Sequence, residues 1–219
     1  VAAPERDMAG FIRTHTRVGS PLLCPELRLH LITAECHLWR AGEAEVQALG
    51  IPEPYWAFCW AGGQALARHL LDHPQLARGR RVLDFGSGGA VEGIAAARAG
   101  AACVLAVDID PWAAEAARMN AALNGVALST ATRDPIGEGC EEHELVLAGD
   151  VAYEPAFAGR VLAWLRSLAG QGREVLLADP GRGYLATADL EALANLRAPA
   201  DVDDDARHLR ETTVYRVRP

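Results

Sequence analysis

The sequence predicts an α/β fold built on a parallel sheet with helices on both faces, and three observations carry that prediction. From Arg81 onward, short apolar runs alternate with amphipathic or small-residue runs of helical length, the signature of strand–helix–strand units. Within that alternation, VLDFGSGGAVEGI (82–94) reads as a buried strand, a glycine turn and a helix. Such a turn lets a ligand approach bare backbone beside free helix N–H groups. Finally, Asp84 stands just before the glycine turn, Asp108 ends the next strand and Asp134 follows the third. Ligands in such sheets bind at the carboxyl ends of the strands.

Taken in order, residues 25–40 (PELRLHLITAECHLWR) predict a helix, with Pro25 at its first position and Leu27, Leu31, Ile32, Ala34, Leu38 and Trp39 on one broad apolar side. Two prolines then break regular structure in IPEPYWAFCWAGG (51–63), where Tyr55, Trp56, Phe58 and Trp60 crowd together. They read as an aromatic plug seating the N-terminal part on the core and, compatibly, as the wall of a ligand pocket. An Ala/Leu-rich helix is expected over 64–71. The strand at 81–85 leads into a helix ending at Ala99, stopped by Gly100. The strand at 102–107 meets Asp110 as N-cap and Pro111 as first helical residue, in a helix that reaches Asn124. Strands follow at 126–132, 144–148 and 174–178, with an amphipathic helix at 155–169 that aligns Phe157, Val161, Leu165 and Leu168. A helix is expected at 185–195 and a weak extended stretch at 198–202. An acidic turn (Asp201, Asp203, Asp204, Asp205) and a terminal strand at 212–217 complete the chain.

Bulk properties remove several function classes. With 219 residues, half of them apolar and 23% charged, the chain suits one sizeable globular core. A net charge of −8 disfavours nucleic acid as partner and is compatible with a cationic one. All 21 basic residues are arginine, which excludes a Walker-type phosphate loop and a pyridoxal Schiff base, both dependent on lysine. The five cysteines are scattered singly and the histidines form no ligand pattern, so no metal is expected and a reducing, cytoplasmic setting is. No apolar run approaches the ~20 residues of a membrane span, and the first residues lack the apolar core of a secretory leader. A monomer is expected. The division anticipated is an N-terminal cover over residues 1–60 and a ligand-binding domain over 61–219.

The ligand preference of the turn follows from charge. A dinucleotide fingerprint would place a third glycine where Val91 stands. Asp84 and Glu92 would also set two carboxylates against a pyrophosphate, each costing on the order of 3 kcal/mol at ~5 Å and an effective dielectric of ~20. S-adenosylmethionine, with its sulfonium and α-ammonium, suits the same residues. Gly86 and Gly88 admit it, and Asp84 attracts its positive charge. Asp108, 20 positions after Gly88, can accept both ribose hydroxyls, and Asp134 can accept from the adenine amino group.

With those residues in view, the chain resembles class I S-adenosylmethionine-dependent methyltransferases, VLDFGSGG supplying the first motif and VDIDP the second. It resembles more closely still the electron-transfer-flavoprotein β-subunit lysine methyltransferases and their bacterial relatives, through PYWAFCWAGGQALAR (54–68), LVLAGDVAYE (145–154) and DPGRGYL (179–185). The resemblance runs from about residue 25 to 217. It implies a Rossmann-like seven-stranded methyltransferase sheet, mostly parallel with the last strand antiparallel, and a helical N-terminal extension. It implies protein lysine as methyl acceptor, on electron transfer flavoprotein β subunit or a ribosomal protein, with the D-x-x-Y residues Asp150 and Tyr153 at the acceptor site. Trp60 and Ile109 are implied on the cofactor side. Two departures stand out: Ala90 replaces the usual third glycine, and Glu92 replaces an apolar residue.

Methyl transfer to an amine requires it neutral and aligned, whereas lysine in water has a pKa of ~10.4. Asp150 can orient the amine and help remove its proton, and Tyr153 and Trp56 can hold the ammonium by cation–π contact. Arg182 has two readings, contact with an acidic feature of the substrate or an internal pair within the turn. A small-molecule N-methyltransferase and a non-catalytic cofactor-binding protein are the alternatives these residues leave open.

Overall fold

The computed structural model describes residues 7–199 and 209–219. The expected acidic turn and the end of the extended stretch before it lie outside those residues. The chain opens with α1 (Met8–His15), β1 (Arg17–Gly19), β2 (Leu29–Leu31), α2 (His37–Arg40) and α3 (Glu43–Ala48), and a short 3₁₀ turn at Tyr55–Ala57 leads into α4 (Ala61–Asp72). Strand–helix alternation follows through β3 (Arg81–Phe85), α5 (Val91–Arg98), β4 (Cys103–Asp108), α6 (Pro111–Leu123), β5 (Ser129–Thr132), β6 (Leu145–Gly149), α7 (Pro155–Gly170) and β7 (Glu174–Asp179). The antiparallel pair β8 (Leu190–Pro199) and β9 (Leu209–Val217) closes it.

The main sheet has seven strands in the order β5-β4-β3-β6-β7-β9-β8. The first five are mutually parallel, and β9 runs antiparallel to both β7 and β8, so the predicted seven-stranded sheet with its last strand reversed is the one observed. Because the chain leaves β3 in one direction through β4 and returns on the other side at β6, the sheet has a switch point between β3 and β6 at its carboxyl edge. Strand side chains divide by the period of two. Val82, Val104, Leu145, Leu147 and Leu176 pack with α4 and α5, while Leu83, Phe85, Val107, Val146 and Leu177 pack with the Val161–Trp164–Leu165–Leu168 face of α7. Asp110 caps α6 by accepting from Trp112 N–H at 2.9 Å, with Pro111 first in the helix.

In two predicted helices part of the stretch is strand instead. Within 25–40 only His37–Arg40 is helical, and Leu29–Leu31 instead pairs with β1. The LRLHL run places Leu27 and Leu29 in the core at a spacing of two. Its backbone is held by amides far along the chain: His30 N–H donates to Asn120 Oδ1 at 2.7 Å, and Arg28 exchanges two bonds with Asn124. Within 185–195, the Ala/Leu-rich stretch is helix-prone on propensity, yet it forms the edge strand β8, bonded along its length to β9 with one irregularity at Ala192–Ala194. Tertiary pairing overrides a preference of a few tenths of a kcal/mol per residue. The part of the chain before Ala61 is accordingly a mixture of short helices and a β-hairpin. Its Ile12, Ile32, Leu38, Val46 and Trp56 share one apolar cluster with Trp112 and Ala116 of α6.

Candidate active site

A cavity of about 870 Å³ opens at the switch point, floored by the ends of β3, β4 and β6 and roofed by the segment before α4. Its volume is in the range of small-molecule sites, roughly 300–1,000 Å³. On one side lies the glycine turn. Gly86 and Gly88 adopt φ of 64° and 48°, the left-handed region that glycine enters without cost. Val107 carbonyl accepts from the N–H groups of Gly86 and Ser87, which ties the turn to β4. Ala90, next in line, is also left-handed at φ 60° and, carrying a Cβ, bears strain of about 1–2 kcal/mol that glycine would avoid.

Of the acids predicted along the strand ends, Asp108 and Asp134 line this cavity and Asp84 is buried behind it. Asp108 lines it and accepts from Gly88 N–H at 2.9 Å through Oδ2 and from Asp110 N–H at 3.0 Å through Oδ1. A carboxylate has about four acceptor positions, so each oxygen keeps one for a ligand hydroxyl. Asp134 lines the same cavity, accepts from Ile136 N–H at 3.0 Å and lies 3.8 Å from Arg160. Ile109 stands 72% exposed at the rim, and Trp60, half-buried, donates its indole N–H to Tyr55 carbonyl at 3.0 Å. Asp84 is wholly buried beneath the turn and accepts from Gly93 N–H at 2.9 Å.

Glu92, which the sequence marks only as a departure, is 3% exposed and lies in the cavity floor beside Asp84. Burial pushes Asp84 up to about 6. Burial, then the neighbouring Asp84, pushes Glu92 well above the usual carboxylate range. Asp84 Oδ1, Glu92 Oε1 and Ser87 Oγ are buried without a protein hydrogen-bond partner. The orphaned Glu92 oxygen in the cavity floor, backed by buried Asp84, fits a ligand that brings cationic donors and disfavours one that brings phosphates. The residues therefore fit S-adenosylmethionine.

Across the cavity, β6 ends in Gly149 and Asp150. Asp150 is itself left-handed, at φ 56°, an unfavourable conformation for a non-glycine residue that surrounding structure must impose. Its N–H donates to Ala178 carbonyl at 3.0 Å, its Oδ2 accepts from Gly63 N–H at 2.9 Å and its Oδ1 pairs with Arg182 at 2.8 Å. The two side chains are only 8% and 18% exposed. Arg182 thus pairs with a residue at the end of β6, outside its own turn. Gly62 and Gly63 allow α4 to begin directly against this turn: a Cβ on Gly62 would lie 2.5 Å from Asp150 Oδ2 and 2.7 Å from Ala178 carbonyl oxygen.

Aromatic rings border the opening. Tyr55 and Tyr153 are 60% and 58% exposed, and Tyr153 packs against Phe157 at 5.1 Å. Burial, followed by Glu154, raises the Tyr153 hydroxyl above its ordinary value, so it stays a neutral phenol. Trp56 differs from its neighbours. Its ring is 3% exposed and stacks on Trp112 at 6.4 Å and 9°, committed to the packing of the N-terminal segment on α6. Sequence reasoning missed Asn120, which is fully buried and donates to Gly89 carbonyl at 2.9 Å while accepting from His30 N–H. It couples the glycine turn to β2. The available signal was an asparagine on the buried, alanine-rich face of α6.

Comparison with known proteins agrees with this geometry. Residues 65–151 match the family model of ribosomal protein L11 methyltransferase. The electron transfer flavoprotein beta subunit lysine methyltransferase of Danio rerio is 39% identical, over 97% of this chain and 84% of its own length. That of Xenopus laevis is 39% identical over 100% and 92%. Among solved structures, magnesium protoporphyrin IX methyltransferase of Synechocystis PCC 6803, with bound S-adenosylmethionine, shares the fold at a TM-score of 0.51. It has 17% identity and covers 71% of this chain and 79% of that one. Sheet order, glycine turn and full-length similarity converge: the chain belongs to the electron transfer flavoprotein β-subunit lysine methyltransferase family and is an S-adenosylmethionine-dependent lysine methyltransferase.

Proposed function

We propose that the chain methylates a lysine side chain of electron transfer flavoprotein β subunit, with Asp150 as the residue that receives the lysine amine. The observation that carries this reading is the Asp150 carboxylate, held by Gly63 N–H and Arg182 between the cofactor side of the cavity and the Tyr55–Tyr153 opening. The fish and frog relatives, similar over 97% and 100% of this chain, are named for that substrate. The ribosomal-protein family model matches only residues 65–151, the cofactor half, and so gives weaker support to a ribosomal target.

In this reading Asp84, Gly86, Gly88, Asp108, Ile109, Asp134 and Trp60 hold S-adenosylmethionine, which supplies an electrophilic methyl group when bound. Asp150 accepts the lysine ammonium, aligns it and draws off a proton, work that shortening the carboxylate abolishes. Tyr153 and Tyr55 offer ring faces to the cation at the opening. Trp56 supports that wall from behind, and Arg182 holds the Asp150 carboxylate in place until the substrate cation shares it. The net charge of −8 favours approach of a lysine-bearing surface. Five free thiols suit the reducing cytoplasm, and catalysis needs only one copy of the chain. No described helix is long and apolar enough to cross a membrane.

With purified electron transfer flavoprotein and radiolabelled S-adenosylmethionine, label should map to lysine. Asp150→Ala should lower turnover at least 100-fold, at the scale of a lost general base, while calorimetry still shows cofactor binding. Undiminished labelling by that variant would remove Asp150 from the reaction.

A further inference from the structure

We propose that Glu92 accepts the α-ammonium of S-adenosylmethionine directly, with Asp84 behind it as partner in one proton-sharing carboxyl pair, and that binding expels the shared proton. The inference rests on the established cofactor and adds a residue that the glycine turn does not require.

The geometry is that of a loaded site. Glu92 sits in the first turn of α5, 97% withdrawn from solvent yet forming part of the cavity floor. Its Oε1 has no protein hydrogen-bond partner, an expensive arrangement for a buried carboxyl in a cavity floor unless a ligand donates to it. Asp84 and Glu92 are neighbouring buried carboxyls, and because two adjacent carboxylates repel, the pair retains one proton.

The order of strands says which end of the ligand arrives there. Passing from β5 to β6 along the cavity, Asp134 comes first, then Asp108, then the glycine turn, then Glu92 against Gly149. A ligand with its base near Asp134 and its ribose on Asp108 brings its amino-acid end over Glu92. An ammonium offers three donors and stabilises the second negative charge, so the pair's proton passes to solvent.

The groups facing Glu92 are Asp84 from β3 and Asp150 from the end of β6, both acidic, with Asp108 from β4 acting on Asp84. Arg182 is engaged by Asp150, and α4 presents the uncharged Gly63. The acids disfavour ionisation of Glu92 before binding and favour arrival of a cation.

The test is calorimetric binding to the intact protein in buffers of different ionisation enthalpy between pH 6 and 7.5, below the ~7.7–8.0 of an α-amino group, with three ligands. S-adenosylmethionine and S-adenosylhomocysteine both carry the α-ammonium, whereas 5′-methylthioadenosine does not. Wild type should release about one proton with the first two and none with the third, and their affinity should rise about tenfold per pH unit where release is complete. Glu92→Gln should bind with no proton release and at least tenfold more weakly at pH 7.5. Glu92→Leu serves as the second variant should the amide misfold. Saturable binding by wild type without proton release overturns the proposal and leaves the cofactor intact, whereas no binding at all would strike at the cofactor itself. Release with S-adenosylmethionine alone would mean that the sulfonium is the cation sensed and would refute the ammonium assignment. Undiminished release by a folded Glu92 variant would refute the role of Glu92.

Discussion

Replacing Gly62 with alanine should separate α4 from the acceptor side of the cavity by a predictable amount. The added Cβ would meet Ala178 carbonyl oxygen at 2.7 Å and Asp150 N at 2.8 Å, both backbone groups of adjacent parallel strands that cannot turn aside. Ordinary carbon–oxygen contact begins near 3.3 Å, so the start of α4 must retreat by about 0.6 Å. Overpacking of this kind costs roughly 1–3 kcal/mol, and in a chain of this size each kcal/mol lowers Tm by about 2–4 °C. We expect a loss near 2 kcal/mol, or ~4–8 °C. The same retreat stretches the Gly63 N–H to Asp150 bond, now 2.9 Å, past useful length. Because an error of about 1 Å can cost ~100-fold in rate, turnover should fall on the order of tenfold. Gly159→Ala is the internal control: it lies in α7 with nothing within 4 Å of its added Cβ, and it should raise stability by about 0.4–1 kcal/mol. Differential scanning calorimetry and methyl-transfer kinetics on the two variants would decide. A Gly62→Ala protein with unchanged Tm and turnover would refute the claim that close approach of α4 builds the site.

Two further predictions follow from burial. Trp56→Ala should cost about 3–5 kcal/mol, read as a fall in Tm, because the ring stacks on Trp112 in the core; Trp56→Phe should keep most of the activity, and a selective loss of substrate affinity would contradict the packing role. The Asp84–Glu92 pair gives stability a pH dependence of defined sign. Both groups titrate higher in the folded than in the unfolded chain, so between about pH 4 and pH 6 and above, the native state holds more protons and stability falls as pH rises. Ligand-free Glu92→Gln should therefore gain Tm over wild type at pH 8 and lose that advantage at pH 5. An equal difference at both pH values would refute the pairing.

Legibility in the sequence followed the range of the interactions involved. The glycine turn, the β4–α6 junction with its Asp110 cap, and the acids at strand ends were readable because each is a local pattern: a positive φ, a capping side chain, a residue one step beyond an apolar run. The stretches at 25–40 and 185–195 were misread for the complementary reason. In both, helical propensity is outweighed by bonds to Asn120, Asn124 and β9, partners that no local window contains.

The site divides along the same line. Sequence by itself determined the sheet that carries the cavity, the methyl donor and the family, since these depend on motifs whose chemistry is contained within a few residues. Only the tertiary structure decided that Trp56 turns into the core while Tyr55 faces out, that Arg182 pairs with Asp150, and that Glu92 meets Asp84 in the cavity floor. Each of those outcomes is set by burial and by charge between separate strands, and burial is a property of the assembled fold.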